Sequence, residues 1–184
     1  MAYNMVRQSS LPLLCTVVSA ILAYGCGSQQ SQAPASPQTA PTASSSFTAT
    51  APAALMRSNP ATTKVCSADV INGSESAAQL QIAKSAKLIV TGWAVDDIAG
   101  TTPPEIYVEL IAASGSTRYY ARAARITKRP DVAKAHNNPA FENSGYDLEG
   151  DLTDVAPGVY SVQVAQSVAA GGTLCDTRHK VEIR

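Results

Sequence analysis

The residue types in this 184-residue chain that could do chemistry are few: His136 and His179, the acid pair Asp96-Asp97, the acidic run Asp147, Glu149, Asp151 and Asp154, and four cysteines. Adjacent carboxylates can share general acid and base work, and a short acidic run can gather oxygen ligands for calcium. The spacing argues against both uses. Asp147, Glu149 and Asp151 alternate with apolar neighbours and follow no EF-hand pattern, so they read as a solvated sheet face. The histidines stand far apart on polar stretches, which reads as two surface side chains. No H-E-x-x-H or G-x-S-x-G occurs, and no cysteine has a C-x-x-C partner or a His at ligand spacing. Gly73 and Gly171-Gly172 precede no helix and read as turns, not phosphate cradles. The sequence thus predicts no catalytic residues, no metal and no cofactor.

Cys26 is the exception. It closes Leu22-Ala23-Tyr24-Gly25-Cys26, directly after the apolar run from Leu11 to Tyr24. That run, about 14 residues, is too short to span a bilayer as a helix and fits a signal-peptide core, with Arg7 in the preceding segment. The pentapeptide resembles the lipobox of bacterial lipoproteins. The resemblance implies a signal peptide over 1–25 and a Cys26 that takes a diacylglycerol thioether and then palmitate-type acylation as the new N-terminus. Two or more chains anchor a protein firmly where one does not, at roughly 0.8 kcal/mol per buried methylene. Gly27, where an Asp would signal retention at the inner membrane, implies an outer-membrane address.

From Gly27 to Lys64 the chain is rich in Ser, Thr, Ala, Pro and Gln, with Arg57 and Lys64 its only charges. So little bulky apolar side chain cannot offset the entropy of ordering, and 26–64 reads as a lipidated cysteine followed by a disordered tether, about 35 Å from end to end if flexible. With Cys15 in the leader and Cys26 lipidated, Cys66 and Cys175 remain. In an oxidising envelope compartment this pair reads as one disulfide, the other reading being two buried thiols.

The segment 65–184 is large enough for one core. Its period is two. Ile89, Thr91, Trp93 and Val95 share one face of a predicted strand, which puts Trp93 in the core. Ile106, Val108 and Leu110 share a face of the next, with Tyr107 and Glu109 opposite. Ser114-Gly115-Ser116 turns into a strand predicted over 117–126. Tyr146, Leu148 and Leu152 alternate with acids, Tyr160, Val162 and Val164 line another strand, and Gly171-Gly172 leads into a last one through Cys175, Val181 and Ile183. Pro130 to His136 and Pro139 to Asn143 read as single helical turns. The expected fold is all-β, a sandwich of about seven strands.

Gly92-Trp93-Ala94-Val95-Asp96, Arg129-Pro130-Asp131-Val132-Ala133, Asn143-Ser144-Gly145-Tyr146 and Pro157-Gly158-Val159-Tyr160 occur in this order. Their succession resembles the immunoglobulin-like accessory domains of bacterial envelope proteins, which carry G-W-A-x-D, R-P-D-V-A, S-G-[FY] and P-G-x-Y. The resemblance covers nearly all of 66–184. It implies an immunoglobulin-like fold and, in that family, attachment to membrane proteins of surface-polysaccharide metabolism, but no catalytic residues. Physically, Gly92 would let a neighbouring backbone approach, Gly145 could supply a positive φ, Arg129 and Asp131 would pin a loop, and Tyr160 would bond its hydroxyl to upstream backbone.

This segment has 11 basic and 14 acidic residues, a net charge of about −3, which argues against a nucleic-acid partner. Arg118, Arg122 and Arg125, followed by Lys128 and Arg129, nevertheless cluster beside Tyr119 and Tyr120. This stretch is the candidate binding patch for an anionic glycan or headgroup; the plainer reading has it blunting an edge strand or pairing with the acids of 147–154. The expected function is a non-enzymatic, lipid-anchored module of the cell envelope with a glycan or protein partner. The alternative is a small envelope hydrolase using Asp96, Asp97 or the 147–154 carboxylates.

Overall fold

A computed structural model describes residues 44–56, 60–75, 79–168 and 171–184; the leader, Cys26 and residues 27–43 lie outside the described residues, as do the side chains of Arg125 and Ile126. The strands are β1 (Ser45–Ser46), β2 (Ala61–Thr63), β3 (Cys66–Ile71), β4 (Gln79–Ile82), β5 (Lys87–Ala94), β6 (Glu105–Ala112), β7 (Arg118–Arg122), β8 (Arg125–Thr127), β9 (Gly145–Asp151), β10 (Gly158–Val168) and β11 (Gly171–Ile183). One sheet runs β1-β9-β5-β3 with β8 also on β9. The other runs β2-β11-β10-β6-β7 with β4 on β11. The two pack face to face as a β-sandwich, with alternate residues of the longer strands buried between them, including Leu88, Val90, Val108, Leu110, Leu148, Val162, Val164 and Val181.

The two helical turns form where the prolines start them, α1 at Pro130–Ala135 and a 3-10 turn at Pro139–Asn143, the latter capped by Asn138 Oδ1 accepting the Ala140 N–H at 3.0 Å. Cys66 on β3 and Cys175 on β11 form a disulfide that joins the two sheets, with Cα atoms 6.3 Å apart.

Three expectations are corrected. In β5 the inward residues are Leu88, Val90, Gly92 and Ala94, so Ile89, Thr91 and Trp93 point the other way. The run KLIVTGWAV is apolar on both faces, and a choice of phase one residue out reverses every side chain. Trp93 is half-buried on the outer face, where it joins Val95, Val132 and Phe141 beneath α1. The strand predicted over 117–126 is two strands in different sheets. Between them the Ala123 N–H donates to the Ile106 carbonyl of one sheet at 2.9 Å and the Ala124 N–H to the Asp147 carbonyl of the other at 3.2 Å, so the crossing leaves neither edge unpaired there.

The largest departure is N-terminal. Of the residues assigned to the tether, 44–56 and 60–64 are part of the sandwich. β1 pairs in parallel with β9, Phe47 is fully buried, and Thr48 exchanges both backbone hydrogen bonds with Tyr120 on β7 at 3.0 and 2.8 Å. Leu55 is then buried beside Gly172, and β2 pairs in parallel with β11. This strap passes from the edge of one sheet, through the core at Phe47, to both edges of the other. Gly150 makes room for it, because a Cβ there would collide with the Phe47 ring.

Candidate functional site

The four sequence motifs occupy one side of the first sheet and the start of β10, and each has a packing role. Tyr146 on β9 is fully buried and reaches over Gly92 on β5 to donate its hydroxyl to the Ser67 carbonyl on β3 at 3.0 Å. Gly92 must lack a side chain, since a Cβ would meet both that carbonyl and the Tyr146 hydroxyl. Burial pushes the Tyr146 phenol well above its ordinary value. Gly145 has no positive φ; its Cβ would strike Thr127, so close approach is its reason.

Arg129 donates to Asp131 through Nε and Nη2, at 2.9 and 2.7 Å, and to Asp69 on β3 through Nη1 at 2.6 Å. The Arg129 guanidinium holds the Asp131 carboxyl down at about 2. Tyr160 donates its hydroxyl to the Ala156 carbonyl at 2.7 Å, four residues upstream, and packs edge-on against Tyr119. Asp96 is spent on a turn: Oδ1 accepts the Ala99 N–H at 3.0 Å, and its backbone pairs with Thr101. These interactions fix loops to strands.

The candidate binding patch divides. Tyr119 faces the core, where its hydroxyl accepts the Ala156 N–H at 3.3 Å. Arg125 belongs to the other sheet, with Asp147 as its register partner. Arg118, Tyr120 and Arg122 alone share the outer face of β7. There they lie opposite Ile111, Glu109 and Tyr107 of β6. Arg118 pairs with Glu109 at 2.5 Å and Arg122 with Glu105 at 3.1 Å, while Lys128 pairs with Glu142 at 3.0 Å. The basic run is therefore largely compensated, by β6 acids rather than by the acids of 147–154 for Arg118 and Arg122. It is not a continuous positive surface.

The side chain that sequence reasoning missed is Glu109. Its place opposite the apolar face of β6 predicts a solvated glutamate, yet it is 1% exposed. One oxygen accepts from Arg118; Oε2 makes no hydrogen bond of good geometry, and the Tyr120 phenol is the donor that reaches the same carboxylate. A half-satisfied buried carboxylate is costly unless something else meets it. Tyr120 is beside it, and its phenol is raised first by partial burial and then by the Glu109 charge. Over this face lies the strap, and between strap and sheet is a groove of ≈ 370 Å³ lined by Glu109, Arg118 and Tyr120 together with Leu55, Pro60 and Leu174. No local signal marks Glu109 as buried, because the strap that covers it reads as tether.

His136 is exposed and touches Trp93 and Phe141 edge-on. His179, expected at the surface, is buried, with Nε2 3.0 Å from the Ala68 carbonyl. In the acidic run, Glu149 pairs with Lys87 and Asp151 bonds Thr153. Among the described residues no three His, Cys, Asp or Glu side chains are grouped to hold a metal ion. Asp96 also rims a wider cleft of ≈ 710 Å³ with Glu105 and Arg122, at the end of the sandwich where β6 begins.

No family model matches this chain, and neither the curated proteins nor the solved structures compared with it include a significant match.

Proposed function

We propose that this chain is a lipid-anchored, non-enzymatic protein of the bacterial cell envelope, whose immunoglobulin-like β-sandwich is a binding or accessory module for an envelope glycan or protein. The anchor rests on the lipobox resemblance at Cys26, and the outer-membrane address on Gly27. Two features favour the immunoglobulin-like assignment within the sandwich class. The first two core strands divide between the sheets, β3 pairing antiparallel with β5 and β4 parallel with β11. Tyr160, near the start of the strand that pairs with the last one, bonds backbone four residues upstream, as in a tyrosine corner. The disulfide departs from the antibody pattern, since it joins β3 to β11.

The observation that supports a binding role is the groove between strap and sheet, with Arg118, Tyr120, Leu55 and Leu174 in its lining. Because the strap is part of the sandwich from Ser44, only about 17 residues separate Cys26 from the fold.

Mass spectrometry of the mature product tests the anchor: a diacylglyceryl mass on Cys26, lost in Cys26→Ser, is expected. An unacylated chain, or one retaining residues 1–25, overturns it. Capture of envelope components by the anchored protein, with none recovered, overturns the binding role. The hydrolase alternative has Asp96 committed to a turn; turnover of a glycan or ester lost in Asp96→Asn would restore it.

A further inference from the structure

We infer that the Cys66–Cys175 disulfide is the latch that holds the strap on the sandwich, so that reducing this one bond releases the strap while the rest of the fold stays closed. The connection from β2 to β3 is only Lys64 and Val65, and it passes from one sheet to the other. Thr63, the last residue of β2, is the register partner of Cys175. Cys66, the first residue of β3, is bonded to that same Cys175, with 6.3 Å between their Cα atoms. The disulfide therefore fixes the point where the strap leaves β3 directly beside the strand that the strap must join. The hinge is fastened there: the Val65 N–H donates to Thr63 Oγ1 at 3.1 Å, and the Val65 carbonyl accepts the Val95 N–H at 3.2 Å. Closing so short a segment onto β11 costs little chain entropy, and the cost rises once Cys66 is free to move.

Strap and core differ in what holds them without the bond. The strap has Phe47 and Leu55 as its buried apolar side chains, and its pairing is confined to β1, Thr48 with Tyr120, and β2. β3 has ties of its own, since it pairs with β5 as far as Ile71, and His179 of β11 places Nε2 3.0 Å from the Ala68 carbonyl. Cys66 is the end residue of that ladder, so opening the disulfide frays the start of β3 and the hinge with it, while Ala68 to Ile71 stay paired. Cys66 is half-buried and Cys175 buried, which directs an attacking thiolate to Cys66. One thiolate of a dithiol bonds to Cys66 Sγ, and Cys175 leaves as a thiolate and takes up a proton. The second thiol then attacks the mixed disulfide, which frees Cys66 and closes the dithiol into its own cyclic disulfide. Release of the strap uncovers Tyr120 and Leu174, which line the groove beneath it.

Amide hydrogen exchange of the whole mature chain in detergent micelles, with and without dithiothreitol, tests the latch. On reduction the Phe47 and Thr48 amides should quicken at least tenfold more than those of Val90 and Val164, which lie in the central strands β5 and β10. A second variant keeps the disulfide and lengthens the hinge by a Gly-Ser-Gly-Ser insertion between Lys64 and Val65. It should quicken the Phe47 and Thr48 amides severalfold and leave Val90 and Val164 as they were. The latch is overturned if strap and core amides quicken by the same factor on reduction, if the strap amides do not change, or if the insertion leaves them as slow as in the parent. It needs neither the lipid anchor nor a ligand, so the failure of either leaves it standing.

Discussion

Replacing Phe47 by Ala separates a strap from a tether. In a disordered tether the substitution would leave stability unchanged. In the sandwich Phe47 is fully buried, its ring sits against Gly150, and its N–H donates to the Asp151 carbonyl at 3.2 Å. A buried aromatic hides about 150–250 Å², which at about 25 cal/mol per Å² amounts to about 4–6 kcal/mol as an upper figure. Phe→Ala substitutions in cores cost about 3–5 kcal/mol, consistent with that figure once some collapse of the site is allowed. For a fold of this size that loss lowers the melting midpoint by about 10–20 °C. Urea denaturation of the oxidised protein, followed by Trp93 fluorescence or circular dichroism, measures it. Hydrogen exchange at the Thr48 and Tyr120 amides, which bond each other's strands, should quicken in the variant. The strap lies outside the loop closed by Cys66 and Cys175, so its release need not open the rest of the sandwich. A midpoint within about 0.5 kcal/mol of the parent, with unchanged exchange at Thr48 and Tyr120, would refute the packing of this segment.

Three further outcomes are expected. Reducing the disulfide, or Cys66→Ser with Cys175→Ser, removes a crosslink closing a 109-residue separation and should cost up to about 4.7 kcal/mol in the chain-entropy model; an unchanged denaturation curve in dithiothreitol refutes it. Gln166 is fully buried in β10 with neither amide atom bonded to protein, so Gln166→Met should raise stability by about 1–3 kcal/mol, and a lower midpoint would show that the amide is satisfied after all. Asp131, held at about 2 by Arg129 against an ordinary value of 3.8, adds stability above the ordinary value that fades as pH falls from about 4 through about 2. Asp131→Asn should flatten that part of the acid-stability profile; a parallel, undiminished slope refutes the link.

Much of the sandwich was legible because burial on one face of a strand writes period two into the residues. Ile106, Val108 and Leu110 of β6, Tyr160, Val162 and Val164 of β10, and the proline-started turns at Pro130 and Pro139 all form as the pattern predicts. The β6–β7 hairpin follows Gly115, whose φ of +77° suits it to the turn. The bonds of Arg129 to Asp131 and of Tyr160 to backbone were legible too, because both are local. The strand that changes sheets at Ala123-Ala124 was not, because an alternating run looks the same whether it keeps one partner or exchanges it.

The sequence by itself determined the alternation of the principal strands, the proline-started turns and the residues that make local bonds, since those depend on neighbours within a few positions; it offered Cys66 and Cys175 as a pair, and the structure joins them. Tertiary structure alone decided which face of β5 is inward, that Trp93 lies under α1, that Phe47 closes the core, and that Glu109 is buried with one oxygen short of a well-formed hydrogen bond. Each of those depends on a segment far along the chain arriving at that place. A Ser/Thr/Pro-rich strap has almost no apolar pattern of its own, apart from Phe47 and Leu55, and it orders because both sheets offer edges to it, with a gap at Gly150 for Phe47.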